Sequence, residues 1–256
     1  VCGVDDHNIV GSLRSLRRLD WTDDETAEYA LCMLGSPWVV GVERLNCLAS
    51  LVGGLNELPY HDWIGTTIVD SVLETIRLAL EKPGTLNQEA LSCILYLGQL
   101  YNYCVCDSGV IFNTLYQLIS VGGGGWRDLS RLRLVTGLVS TVGEFFRDSR
   151  RSTSRMLCFL AYFYRFYWSK KEAWAANCEE GERFPFEVET SVQEMHEGML
   201  RGRKEPASLA EAEESVRVVE RSFQAKVDAL LGSSGGGLAP LMEMDEDEES
   251  TRLLPV

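Results

Sequence analysis

Two adjoining stretches decide the fold: Ala90-Leu-Ser-Cys-Ile-Leu-Tyr-Leu-Gly-Gln-Leu-Tyr-Asn-Tyr-Cys-Val-Cys106 and Ser108-Gly-Val-Ile-Phe-Asn-Thr-Leu-Tyr-Gln-Leu-Ile-Ser-Val-Gly-Gly-Gly-Gly-Trp126. They are the longest uncharged runs of the chain, and Asp107 alone separates them. A membrane span needs about 20 mostly apolar residues. The first run carries Ser92, Gln99 and Asn102, and the second Asn113, Gln117 and four glycines. Both therefore read as buried helices of a soluble domain. Asp107-Ser108 is a helix start, because a side-chain oxygen there accepts from the first free backbone N–H groups. Val110, Ile111, Leu115 and Leu118 then follow at helical spacing.

The helical period extends in both directions. Thr22-Asp23-Asp24-Glu25 reads as a capping box, with the Thr22 hydroxyl capping and Glu25 reaching back. Ser208-Leu209-Ala210-Glu211 is a second box, opening a helix with Val216, Val219, Phe223, Val227 and Leu230 on one stripe. Breakers fall between the periodic runs: Gly35-Ser36-Pro37, Leu58-Pro59, Pro83-Gly84, the glycines 122–125, Phe184-Pro185 and Glu205-Pro206. The spacing predicts about ten helices, at 8–19, 22–35, 38–55, 59–82, 86–104, 108–120, 127–147, 150–176, 186–202 and 208–231. Short connections make neighbours antiparallel. The expected class is all-α, a HEAT-like solenoid of five antiparallel hairpins. No internal sequence repeat enforces the stack, so a compact all-α bundle remains the alternative.

The chain has 256 residues and a net charge of −14. Six acids and one arginine lie in the last sixteen residues; without them 23 basic and 32 acidic residues remain, a net of −9. An acidic body argues against gripping nucleic acid chiefly through phosphates and favours a basic protein partner. Residues 1–231 are expected to form the helical domain. Residues 232–256, a Gly/Ser run and then an acidic run from Glu243, are expected to be a disordered linker and tail. The start at Val1 reads as a piece of a longer protein. The eight cysteines, at 2, 32, 47, 93, 104, 106, 158 and 178, sit mostly within apolar patterns with no zinc spacing. They are expected to be small core residues of a protein in a reducing compartment.

Signals for chemistry are sparse. His7, His61 and His196 have no nucleophile beside them in sequence, and His196, between Glu194 and Glu197, is expected on an exposed helix face. The glycines 122–125 lack the Gly-Lys-Ser/Thr ending of a phosphate loop. No enzyme, cofactor or metal is expected. Two charged features stand out. Arg127, Arg131, Arg133, Arg147, Arg150, Arg151 and Arg155 crowd around one turn; they read as a solvated hairpin paired to Asp128, Glu144 and Asp148, or else as an open basic edge for RNA. Glu179, Glu180, Glu182, Glu187, Glu189, Glu194 and Glu197 read as a solvated acidic face. The aromatics Tyr162, Phe163, Tyr164, Phe166, Tyr167, Trp168 and Trp174 are expected to be mostly core.

Leu97-Gly98-Gln99-Leu100-Tyr101-Asn102-Tyr103, with Val110-Ile111-Phe112 and Leu115-Tyr116, resembles the signature of the middle-domain family of eukaryotic initiation factor 4G. Five further segments are similar to the third middle domain of the scaffolds of nonsense-mediated mRNA decay. They are Leu16 to Glu25, Leu45 to Leu51, Val69 to Leu78, Arg131 to Val135, and Cys158 to Lys171. The resemblance spans about residues 12–231. It implies a stack of about five helical hairpins and a non-enzymatic scaffold whose acidic, partly aromatic surface docks the RNA-recognition-like domain of up-frameshift protein three. On that resemblance the partner-binding residues are Asp107, Tyr101, Tyr103, Gln99 and Glu89, with the tyrosines and Asp107 exposed side by side. Gln99 stands where the family often has Glu, and Glu89 where relatives carry a basic residue. The resemblance also implies that the up-frameshift helicase binds outside this chain, and that the setting is cytoplasmic, perinuclear and without a membrane. The alternative is a middle domain that holds RNA or an RNA helicase through Arg127, Arg131, Arg147, Arg150, Arg151 and Arg155.

Overall fold

The computed structural model describes residues 3–57, 62–82, 87–120, 125–147, 150–179, 181–200, 202 and 204–233, without the side chains of 62, 87, 147, 150, 151 and 229–233. Among them are ten α-helices and no strand: α1 Ile9–Leu16, α2 Asp24–Leu34, α3 Leu45–Asn56, α4 Asp62–Glu81, α5 Asn87–Asn102, α6 Ser108–Ser120, α7 Ser130–Arg147, α8 Arg150–Asn177, α9 Phe186–Met199 and α10 Leu209–Ser233. The chain divides into a unit of Val1–Val216 and a second of Arg217–Val256. The described part of the second is the C-terminal portion of α10 and carries Val218, Phe223 and Val227 exposed.

In the first unit the odd-numbered helices form one layer, α1 against α3, α3 against α5, α5 against α7 and α7 against α9. Even-numbered helices pack outside them, α2 on α4 and α6 on α8, while α3/α4, α5/α6 and α7/α8 are hairpin pairs. This is the HEAT-like solenoid expected from the spacing. The core runs continuously through it from Leu34 to Ala212. Its largest fully buried side chains include Tyr96, Phe146, Phe159 and Phe163. The dense aromatic run of α8 divides: Phe163, Tyr164, Tyr167 and Trp174 are buried, and Tyr162, Phe166 and Trp168 half-buried.

Two local expectations are corrected. The single helix expected over 38–55 is broken. Pro37–Val39 and Val42–Arg44 are 3₁₀ turns, and α3 begins only at Leu45. Gly41 between them has φ +64, left-handed backbone that favours glycine and ends any helix. The cap of α2 is Asp23, not Thr22: its Oδ2 accepts from the Thr26 backbone N–H at 3.1 Å. Thr22 is occupied, its hydroxyl donating to Asp20 at 2.6 Å. At α10 the capping half of the box forms, with the Glu211 N–H donating to Ser208 Oγ at 3.3 Å, while Glu211 reaches back one residue further than expected, its Oε2 accepting from the Ala207 N–H at 2.8 Å. The glycines 122–124, His61 and the acidic tail lie outside the described residues.

Candidate partner-docking surface

The corner between α5 and α6 is fixed by backbone chemistry. α5 ends in paired bonds: the Val105 N–H donates to the Leu100 carbonyl and the Cys104 N–H to that of Tyr101, both at 2.9 Å. This six-to-one, five-to-two pattern needs a left-handed residue at the turn. Cys104 supplies it, with φ 58, the only non-glycine with positive φ among the described residues. The next helix starts at once, as Asp107 Oδ1 accepts from the Val110 N–H at 2.9 Å and caps α6. The exposed Asp107 carboxylate is thereby held on the turn through one of its oxygens.

Around it, Tyr103 is half-buried, with its Cβ and carbonyl against Gly53 of α3. Gln99 is half-buried near the end of α5, and Asn102 beside it donates to the Thr141 carbonyl of α7 at 3.1 Å. Glu89, expected beside them, instead sits in the first turn of α5, about 20 Å along the helix from the corner. Arg155 of α8 completes the corner: its guanidinium donates to Ser108 Oγ at 3.2 Å and lies 4.4 Å from the Phe112 ring centroid. Forty-seven positions separate Arg155 from Ser108, so only the stacking of α8 on α6 brings it there. Tyr101 departs from expectation. It is 8% exposed and stacks on Phe146 at 5.2 Å, with the rings 6° apart. On α5 its side chain faces α7, away from Tyr103, so it supports the corner from behind rather than lining its surface. Burial pushes the Cys93 and Cys106 thiols up to about 12, so at neutral pH both are protonated.

The arginines of 127–155 do not form one open edge. Arg131 is buried, 2% exposed, and donates to the Leu118 carbonyl at 3.2 Å. Arg127 pairs with Glu182 and Arg133 with Glu187, each at 3.2 Å. Lys171 pairs with Glu189 at 2.6 Å. Glu182, Glu187 and Glu189 are thus partners of Arg127, α7 and α8 rather than only a solvated face. The partners expected within the hairpin itself are replaced for Arg127 and Arg133, in the case of Arg133 because α9 lies against α7. The side chains of Arg147, Arg150 and Arg151 lie outside the described residues.

His196 is buried, not exposed as its glutamate neighbours suggest. Its Nδ1 lies 2.5 Å from the Tyr164 hydroxyl, and the rings meet edge to face at 5.8 Å. Among the described residues no group of three or more His, Cys, Asp or Glu is placed to hold a metal, and no helix is long and apolar enough to cross a membrane.

The family model of the MIF4G domain, the middle domain of initiation factor 4G, matches residues 2–201. Among curated proteins the chain is similar to Regulator of nonsense transcripts 2 of human and of mouse, 35% identical to each over 227 residues, covering 84% of this chain and 17% of the relative. It is 34% identical over 176 residues to Regulator of nonsense transcripts UPF2 of Arabidopsis thaliana, covering 65% of this chain and 14% of that protein. The chain thus spans less than a fifth of the length of these relatives. With stacked helices in its first unit and a family match over residues 2–201, the chain belongs to the MIF4G domain family.

Proposed function

We propose that this chain is a non-enzymatic scaffold domain of nonsense-mediated mRNA decay, corresponding to the third middle domain of a regulator of nonsense transcripts 2. It docks the RNA-recognition-like domain of up-frameshift protein three at the α5–α6 corner. The observation that carries the site is Asp107: an exposed carboxylate on a capped, doubly hydrogen-bonded turn is oriented before any partner arrives. A preoriented acid steers a basic partner and selects against acidic ones. Tyr103 and Gln99 supply the surrounding contact area, and Tyr101 keeps α5 in place through Phe146. The domain occupies residues 1–231, with residues 232–256 a linker and acidic tail. It acts in the cytoplasm, at the perinuclear surface, and the up-frameshift helicase binds elsewhere on the longer protein.

The alternative reading, an arginine-rich edge for RNA or a helicase, is weakened by the burial of Arg131 and the ion pairs of Arg127 and Arg133. The test is a calorimetric titration of the chain with the RNA-recognition-like domain of up-frameshift protein three. Asp107→Asn keeps a capping oxygen and removes the charge, so it separates binding from folding. The expected result is tight binding by the parent, weakened by Asp107→Asn and lost with Asp107→Arg. Absence of binding by the parent chain would remove the partner, and full-strength binding by both variants would remove the site.

A further inference from the structure

A second surface opens on the outer layer, between α4 and α6. Asp70, Leu73, Glu74, Arg77, Leu80 and Glu81 of α4 face Val110, Asn113, Thr114 and Gln117 of α6 across a groove of about 540 Å³. Its floor is apolar, made by the half-buried Leu73, Leu80 and Val110. Its α4 wall carries three carboxylates and one guanidinium. Its α6 wall carries the carboxamides of Asn113 and Gln117, one helical turn apart and both exposed. Among the described residues neither carboxamide makes a hydrogen bond, and Asp70 makes neither a hydrogen bond nor an ion pair.

We propose that this groove docks a basic, partly apolar peptide segment of a protein partner. The chemistry of each wall selects that occupant. A carboxamide both donates and accepts, so two of them one turn apart can satisfy the N–H and C=O groups of a bound backbone. An apolar floor takes every second or third side chain of such a segment. The carboxylate wall takes its cations. The groove already holds one guanidinium of its own: Arg77 bonds Glu74 twice at 2.7 Å and also pairs with Glu81. These are exposed pairs, with the side chains about half accessible, so they exchange readily with solvent and with a competing cation. Arg77 therefore acts as an internal competitor for the site. Asp70, which bonds neither Arg77 nor any other cation among the described residues, is the carboxylate left for the incoming cation. The inference is independent of the Asp107 corner and stands whether or not the partner proposed above binds there.

The probe is a fluorescein-labelled ten-residue peptide of alternating arginine and leucine, followed by fluorescence anisotropy against the whole chain. Its counterpart with glutamate in place of arginine serves as the control. The expected result is saturable binding of the arginine peptide alone. Asp70→Lys weakens it about tenfold, and Arg77→Ala tightens it about two- to fivefold by removing the competitor. Glu194→Lys on α9, an exposed position on a helix that packs on α7, makes the same change of net charge outside the groove and leaves affinity within about twofold. Thermal unfolding midpoints identify any variant that fails to fold; Asn113→Leu with Gln117→Leu then provides a second route, weakening binding with no change of charge. Equal losses for Asp70→Lys and Glu194→Lys would overturn the proposal in favour of diffuse attraction to an acidic chain, as would weaker binding by Arg77→Ala. Asp107→Asn is expected to leave this peptide unaffected, so failure at one site is read separately from failure at the other.

Discussion

Gly98 lies where α5 crosses α7, and it is the position at which one added methyl should matter most. A Cβ there would sit 2.7 Å from Thr141 Cγ2, 2.9 Å from Thr141 Cβ and 3.4 Å from Leu138 Cδ1. The two short contacts are to the root of a β-branched side chain, which cannot swing aside, and whose hydroxyl donates to the Gly137 carbonyl at 2.8 Å. Helix propensity favours Gly98→Ala by about 1 kcal/mol. Overpacking of a tight core costs about 1–3 kcal/mol, and the upper part of that range applies where the neighbour is stiff. The net expectation is a destabilisation of about 1–2 kcal/mol, a fall in melting temperature of about 2–8 °C for a unit of this size. Urea unfolding followed by helical circular dichroism measures it. Thr141→Gly removes both offending atoms. The double variant should therefore be more stable than the sum of the two single changes by about 1 kcal/mol or more. A Gly98→Ala protein as stable as the parent, or a cycle with no coupling, would refute the argument that close helix approach, rather than chance, keeps this residue small.

Three further outcomes follow from the same geometry. Cys104→Gly should stabilise the chain by about 0.5–1 kcal/mol, since glycine adopts the left-handed turn without the strain a side chain brings; chemical denaturation checks it. Arg131→Leu should destabilise by about 1–3 kcal/mol, because the Leu118 carbonyl loses its buried donor, and it should leave binding at the Asp107 corner intact in calorimetry. Burial raises the Glu205 carboxyl above its usual range, partly offset by His196 and Lys171. The folded state therefore holds this proton more tightly than the unfolded one. Its contribution to stability is fully present below the ordinary glutamate pKa and is lost as pH rises through the folded value. Glu205→Gln should accordingly raise the melting temperature at pH 7 and leave it little changed at pH 4, and the reverse pattern would contradict this.

The helices are legible in the sequence because each one is set by local chemistry. Asp107 before an apolar run, the box at Ser208 and Glu211, and the breakers at Gly35 to Pro37 and at Pro185 all act within a turn or two of their own position. Where local signals compete, spacing alone fails. Pro37 and Gly41 divide a run whose apolar period is unbroken, and Asp20 removes Thr22 from capping by bonding it first. The surface is harder to read for a different reason. Whether Tyr101 faces solvent depends on Phe146, and the pairing of Arg133 with Glu187 depends on α9 lying against α7. His196 looks like a surface residue among glutamates until Tyr164, thirty-two positions earlier, is brought against it. These are long-range events that helical spacing does not encode. The Asp107 cap was legible because it is local, and the groove between α4 and α6 was not, because its walls are joined only by the packing of separate hairpins.

The order of stacking bears on how the chain acquires its structure. Each odd-numbered helix leans on the odd-numbered helices before and after it, two elements away in sequence, so the segments that must come together are seldom far apart along the chain. Loop-closure entropy is then small at every step, which favours rapid folding. The α5–α7 contact, the most extensive of these, is a natural nucleus from which structure spreads toward both ends. Truncating α1 and α2 should therefore fray only the helices they touch, whereas excising α5 should leave neither half able to fold.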